Sequence, residues 1–379
     1  MVLRSVRRYR QLSRAALARR TRLSEAAISR IVAELLREGL LIEQGGEHAT
    51  GGRPGIGLQL NERYFQAIGV DIQNWETRVS LGTVTGRMLE TRRFRTPSAP
   101  NKTLDLVAEH ARSLVDLARG GRALAAGVSV RGLVNSETGI AELGSNDGWV
   151  QVPVRQYLSE RLGQPVFVEN NVRLAALAEY HCGSLELQGI HCLLFVKVDD
   201  GVGMGIILDG KLYRGPGMAA GELGQMVIAD QRGPERHNRP GCLESLASNG
   251  ATWERYRAAA GARRAGPADS GVQVKSICHL ALEGDAAARG AILETARYLG
   301  IGIANAVWAL DAEAVIIDGA ITEAWPLVSA AIREQFPEGP EFLNFRNLVL
   351  RPSALAGEAA IGGAIALPFA SMFSEEVRP

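Results

Sequence analysis

The sequence predicts a winged helix-turn-helix head joined to a two-lobed α/β body, and three observations predict it. The first 60 residues hold eleven arginines, no lysine and five glutamates, so the head is about six charges positive and the remainder about five negative. Within the head, apolar residues recur at three- and four-residue spacing, then give way to two short strand-like runs around a glycine-rich stretch. Beyond residue 61, short apolar runs alternate with helical patterns and glycine-rich turns, as in α/β folds of the nucleotide-binding type.

With 379 residues, 46% hydrophobic and 22% charged, the chain has enough apolar material for two or three domains. No uncharged apolar run reaches the length of a membrane-spanning helix, so no membrane partner is expected. The arginine-rich start lacks the apolar segment of a secretory leader. Cysteines 182, 192, 242 and 278 form no paired framework and fit reduced thiols in a cytoplasmic protein.

In the head (residues 1–60), Ser13 is placed to cap a short helix from Arg14 to Arg19, and Thr21-Arg22-Leu23 makes a tight connection. Ser24 caps a second helix that runs through Arg37, with Glu25 in its first turn where it complements the helix dipole. Ala27, Ile28, Ile31, Val32, Leu35 and Leu36 form its apolar face, and Gly39 stops it. Leu40 to Glu43 and Gly57 to Leu60 then read as a hairpin. In winged helix-turn-helix geometry the second helix enters the major groove and presents Ser24, Glu25, Ala26, Ser29 and Arg30. Arg30 suits a guanine edge or a phosphate, and Ser24 and Ser29 suit phosphates. The hairpin tip, Thr50-Gly51-Gly52-Arg53-Pro54, places Arg53 near the backbone or minor groove. The expected partner is a double-stranded DNA operator.

The body spans 62–379. Ala67 to Ile72 reads as a buried strand, and two antiparallel strands, Arg78 to Thr83 and Arg87 to Thr96, turn at Thr85-Gly86. Leu104 to Ala118 is an amphipathic helix; strands follow at 125–130 and 165–168, then a helix at 171–182. His191 to Val198, Gly205 to Leu208 and Ala314 to Ile317 read as strands, 286–310 as a long helix, and Gly357 to Leu367 as a closing helix. Lobe 1 would take about 62–180 with 357–367, and lobe 2 about 181–355.

Several motifs stand in one order: the Ser24–Arg37 helix, the Thr50–Pro54 tip, Glu169-Asn170-Asn171, Gly201-Val202-Gly203-Met204-Gly205-Ile206-Ile207, and Gly221-Glu222-Leu223-Gly224-Gln225 through Gly241-Cys242-Leu243-Glu244. The set resembles the ROK family (repressors, open reading frames, kinases), in its repressor branch, over nearly the whole chain. The resemblance implies an actin-like sugar-kinase fold for the body and a sugar held between its lobes. It also implies that Asn170, Glu222 and Glu244 grip sugar hydroxyls, as carboxylates and amides can. Asn146, in Gly144-Ser145-Asn146-Asp147-Gly148-Trp149, borders the same site, and Gln225 replaces a histidine that touches the sugar and ligates zinc.

The departures from that family's kinases carry the functional information. Where they read Asp-Ile-Gly-Gly-Thr around the phosphates, this chain reads Asp71-Ile72-Gln73-Asn74-Trp75. The second phosphate loop, Gly-Thr-Gly, is Asp199-Asp200-Gly201, whose carboxylates would repel a triphosphate. The paired glycines of the adenosine-side turn are Asp318-Gly319. The catalytic aspartate is Asn171, an amide without useful basicity that still exchanges hydrogen bonds with a hydroxyl. The zinc pattern of one histidine and three cysteines maps onto Gln225, Glu235, His237 and Cys242, a weak zinc set. Any bound metal would fall to Glu235, His237 and Cys242, with zinc the ion to test for; no other cofactor is implied.

The expectation is a sugar-responsive, DNA-binding transcriptional regulator of carbohydrate metabolism, a repressor, with a catalytically inactive body. Regulation by changing the spacing of two heads requires a homodimer or a higher homo-oligomer. The alternative is an ATP-dependent sugar kinase.

Overall fold

The computed structural model describes residues 1–379 except 46–55, 118–122, 145–147, 184–186, 188, 231–239, 262–269, 337–346, 356 and 374–379. The chain begins with three helices, α1 (Val2–Tyr9), α2 (Arg14–Thr21) and α3 (Glu25–Arg37). The Ser13 hydroxyl accepts from the Ala16 amide at 3.3 Å, and the Ser24 hydroxyl accepts from the Ala27 amide at 3.3 Å. These bonds satisfy one orphan donor at the start of α2 and of α3. Strands β1 (Leu41–Gln44) and β2 (Gly57–Leu60) pair antiparallel, from Leu41 opposite Leu60 to Gln44 opposite Gly57. The tip with Arg53 lies outside the described residues.

A five-stranded sheet follows, ordered β10-β6-β3-β4-β5. Its strands are β3 (Gln66–Ile72), β4 (Glu76–Thr83), β5 (Met88–Arg95), β6 (Ala123–Val130) and β10 (Val166–Asn170). Strands β3, β4 and β5 are antiparallel, while β6 and β10 run parallel to β3. Helix α4 (Pro100–Leu117) buries Leu104, Val107, Ala108, Ala111 and Leu114 in the core beside this sheet, at three- and four-residue spacing. Between β6 and β10 the chain adds a small sheet, β7 (Gly132–Asn135), β8 (Ile140–Gly144) and β9 (Val150–Val152), and then α5 (Val154–Leu162). After β10 comes α6 (Asn171–Cys182).

A second five-stranded sheet is ordered β13-β12-β11-β14-β15. It contains β11 (Cys192–Val198), β12 (Val202–Leu208), β13 (Lys211–Tyr213), β14 (Ala314–Asp318) and β15 (Val349–Pro352), with β11, β14 and β15 parallel. Five helices accompany it: α7 (Leu243–Ala247), α8 (Asn249–Ala260), α9 (Ser270–Glu283), the 25-residue α10 (Ala286–Leu310) and α11 (Trp325–Arg333). The chain closes with α12 (Ala359–Met372). No described helix is long and apolar enough to cross a membrane.

The chain divides into two compact units, Met1–Leu174 with Ala360–Pro379, and Ala175–Ala359. The head belongs to the first. Val2, Val6, Leu17, Ile28, Leu41 and Leu58 share one apolar cluster with Phe65, Ala67 and Val84, and with Ile365 and Phe369 of α12. Arg7 donates to the Ala366 carbonyl at 3.5 Å, and its guanidinium lies 5.4 Å from the Phe373 ring centre. The head is therefore packed onto α12 rather than tethered to it. That packing also explains α1, which lies beyond the sequence reading: Val2 and Val6, one helical turn apart, are buried by residues more than 350 positions away.

Helix α12 runs five residues past Leu367, through Pro368. Proline cannot donate to the carbonyl of Ala364, four residues earlier. That carbonyl lies against Gly127 of β6, where a Cβ would come within 2.0 Å of its oxygen. The glycine makes room for the helix, and tertiary packing overrides the local signal to stop.

Candidate functional site

The basic head presents a defined face. Ser24, Glu25, Ala26, Ser29 and Arg30 are all exposed on the N-terminal half of α3, while Ile28 and Val32 are buried. Arg30 makes no ion pair among the described residues. Arg19 and Arg20 are exposed at the end of α2, with Arg20 stacked 3.7 Å from the Tyr9 ring centre. Arg14 is instead paired with Glu43 at 2.8 Å.

In the first unit, candidate residues gather at the C-terminal ends of β3 and β10, the edge where open α/β sheets bind ligands. Asp71, near the end of β3, is fully buried. Its Oδ2 accepts from Arg78 at 2.8 Å and from Gln73 at 2.7 Å, and its Oδ1 accepts from Ser129 at 2.8 Å. Three side chains from its own unit thus take up the carboxylate. In the next turn Trp75 is 68% exposed. At the end of β10, buried Glu169 accepts from the Asn170 amide at 2.8 Å and from Arg173 at 3.2 Å.

The two neighbouring amides differ. Asn170 caps α6: its Oδ1 accepts from the Val172 and Arg173 amides at 2.8 and 3.2 Å. Its Nδ2 donates to the Gly132 carbonyl at 2.8 Å. Asn171 is only 9% exposed, and among the described residues its side-chain amide makes no hydrogen bond. Asn171 therefore keeps the freer hydrogen-bonding groups of the pair. Asn146 lies outside the described residues.

In the second unit the chain brings Glu222, Gln225 and Glu244 together. Glu222 and Gln225 are exposed on a single 3-10 turn, Leu223–Gln225 with Glu222 at its cap. The segment after it pairs with the approach to α7: Leu243 donates to the Met226 carbonyl at 2.9 Å, and Val227 bridges Cys242. Glu244 then sits in the first turn of α7, half-buried, where the helix dipole favours a carboxylate. Its Oε2 accepts from the Val202 amide at 3.0 Å. Gly201 and Gly224 crowd that oxygen; a Cβ on them would lie 2.7 and 3.2 Å away. Arg255 fixes α7 from behind, donating to the Leu246 carbonyl and, at 2.6 Å, to Thr295. Burial lowers its pKa, opposed by Glu294.

The loop read as a damaged phosphate turn is held by its own unit. Asn249 donates from its backbone to the Asp199 carbonyl at 2.9 Å, and Ser270 donates to Asp200. The spacing Glu169 to Arg173 was a legible signal for a helical ion pair. Ser129 as a partner of Asp71 and Val202 as a partner of Glu244 carried no sequence signal, because the chain separates them by 58 and 42 positions.

Of the metal candidates, Glu235 and His237 lie outside the described residues. Cys242 is 1% exposed, and among the described residues no group of three His, Cys, Asp or Glu side chains is placed to hold a metal. One thiol, one imidazole, a carboxylate and an exposed amide do not fit a structural zinc centre.

The fold and these clusters define a two-unit α/β protein with a helical, arginine-rich head. The chain belongs to the ROK family, whose pattern matches residues 67–369. It is 28% identical over 388 residues to a xylose repressor of Caldicellulosiruptor bescii, covering 99% of this chain and 96% of that protein. It also superposes on the crystal structure of a ROK family transcriptional regulator, a homologue of the Escherichia coli MLC protein. The TM-score there is 0.79 at 26% identity, over 95% of this chain and 92% of that one. A ROK hexokinase from Thermus thermophilus matches with a TM-score of 0.68 at 27% identity, over 81% of this chain and 99% of the enzyme. The body thus has the two-lobed α/β fold of sugar kinases, and the chain exceeds the length of the matching kinase.

Proposed function

We propose that this protein is a sugar-responsive transcriptional regulator, a repressor, whose body binds a sugar without phosphorylating it. Residues 1–60 form a winged helix-turn-helix in this reading. The observation that carries it is the exposed row Ser24, Glu25, Ala26, Ser29 and Arg30 along one end of α3, on a head with eleven arginines. An exposed helix end of this kind enters the major groove, with Arg30 on a guanine edge or phosphate and Arg53 near the backbone or the minor groove. The similarity to a xylose repressor and to a ROK transcriptional regulator over nearly the whole chain supports the same reading.

Sugar hydroxyls are assigned to Glu222, Gln225, Glu244, Asn146 and Asn171, while the amide of Asn170 is taken up by the start of α6 and the Gly132 carbonyl. Asn171, lacking a basic group, binds and does not deprotonate. The buried engagement of Asp71 opposes the kinase alternative, since its carboxylate already accepts from Arg78, Gln73 and Ser129. The working form is a homodimer or higher homo-oligomer in the cytoplasm, with two heads on two half-sites.

The test is fluorescence anisotropy of the purified full chain on duplex DNA from its own upstream region. Log affinity should fall linearly with log salt, with a slope of about −0.9 per phosphate contacted. Addition of sugars from a panel should change the affinity, and ADP should not form with ATP present. A salt-independent affinity, or sugar-dependent ADP production, would overturn the reading.

A further inference from the structure

The chain passes between the two units twice, within α6 at Leu174–Ala175 and at the start of α12 at Ala359–Ala360. Each unit ties the two crossings together on its own side. In the first unit α12 lies directly on α6: a Cβ on Gly363 would fall 1.9 Å from the Leu174 carbonyl oxygen. In the second unit the tie is a buried carboxylate. Glu179 of α6 is fully buried, and its Oε1 accepts from the Ser353 hydroxyl and, at 3.2 Å, from the Leu355 amide. Ser353 in turn donates its amide to the Ile317 carbonyl at 2.8 Å, at the end of β14.

The other oxygen of Glu179 is not satisfied. Oε2 lies 3.6 Å from Arg351 Nη2, within ion-pair range but outside hydrogen-bonding range. Among the described residues, Oε2 and both Nε and Nη2 of Arg351 are buried without a hydrogen-bond partner. Gly183 lies against the same oxygen, where a Cβ would come within 2.5 Å. A displacement of under about 1 Å between α6 and the end of β15 would make this contact a charge-assisted hydrogen bond. A buried ion pair left half-made is costly, so small movements at this contact change its energy.

We propose that Glu179 is a positioning residue for the regulatory response: through Ser353, Leu355 and Arg351 it makes the two chain crossings move as one. The crossings lead to functional ends. Asn171 stands at the start of α6, and α12 shares its core with the head through Ile365 and Phe369. A ligand that shifts α6 thereby shifts Ser353 and Leu355 and, with them, α12 and the head. Conversely, DNA held by the head is felt at α6, as linkage requires. The regulatory consequence rests on the function proposed above; the mechanical tie itself does not.

Amide hydrogen exchange on the full chain tests both parts, using wild type, Ser353→Ala, Ser353→Thr and Glu179→Gln. Without ligand, loss of the hydroxyl in Ser353→Ala should speed exchange in 353–361 by about tenfold, with β3 to β5 unchanged and Ser353→Thr near wild type. With duplex DNA from the upstream region, wild type should gain protection in 171–182 and Ser353→Ala should not. Equal exchange in 353–361 in wild type, Ser353→Ala and Glu179→Gln would overturn the tie. Tenfold faster exchange with undiminished DNA-induced protection of α6 would overturn its role in coupling. Absence of any DNA binding by wild type would remove the regulatory reading, while the ligand-free comparison still decides the tie.

Discussion

Asp71 and Glu244 are both carboxylates near turns, one in each unit, and their surroundings are opposite. Asp71 is fully buried and accepts from three side chains, one of them the guanidinium of Arg78. Glu244 is half-buried and accepts from a backbone amide, with two glycines clearing space around it. A carboxylate enclosed by side chains has become part of the framework of its unit. One placed in the first turn of a helix and held by a backbone amide is still reached by solvent. The same fold encloses one acidic group completely and leaves the other half-buried.

The largest effect should come from the enclosed group. Asp71→Ala removes the buried carboxylate that pairs with Arg78 and should cost about 3–5 kcal/mol in urea denaturation. Near-wild-type stability would mean that Asp71 is not structural and would reopen the kinase alternative. Glu244→Gln should leave stability within about 1 kcal/mol but weaken the sugar giving the largest thermal shift by roughly ten- to hundredfold in calorimetric titration. If Glu244→Gln instead unfolds the chain as Asp71→Ala does, the contrast between the two carboxylates fails.

Arg30→Ala isolates the head from both. It should weaken DNA binding by about 1–3 kcal/mol if the guanidinium reads a base, with sugar affinity unchanged. If it meets a phosphate, the loss should be uniform across sequences, with a salt slope shallower by about one.

The last effect concerns two buried thiols in the second unit. Burial pushes Cys278 up to about 11 and, with help from Glu313, Asp311 and Asp209, Cys192 up to about 11. The folded chain therefore keeps protons that an unfolded chain, with thiols near 9, gives up. Their contribution to stability is complete below pH 9 and is lost as pH rises through 11. The urea midpoint should accordingly fall between about pH 8 and about pH 10.5, and less so in a Cys278→Ala variant.

Local chemistry was enough to read much of this molecule. Ser24 with Glu25 and the apolar stripe from Ala27 to Leu36 predicts α3, and the run Ala67 to Ile72 predicts β3. Thr85-Gly86 predicts the turn between β4 and β5, where Gly86 has a φ of 87°. The order of motifs singles out Asn170, Asn171, Glu222, Gln225 and Glu244 as candidates. In each case the signal lies within a few residues of the feature, because caps, periodicity and turn glycines act over one or two helical turns.

What the tertiary structure alone decided lies across long separations. Helix α1 is too short to stand by itself and exists where α12 buries Val2 and Val6. Pro368 reads as a helix end, and the helix continues because Gly127 admits the Ala364 carbonyl. Asn170 and Asn171 are neighbouring residues of one type, yet one amide caps α6 and the other does not. Side-chain type and spacing established which groups were present. Which of them remain open to a ligand depends on partners brought in by packing, such as Ser129 for Asp71 and Val202 for Glu244. A side chain has only so many hydrogen bonds to give, and only the folded chain shows where they go.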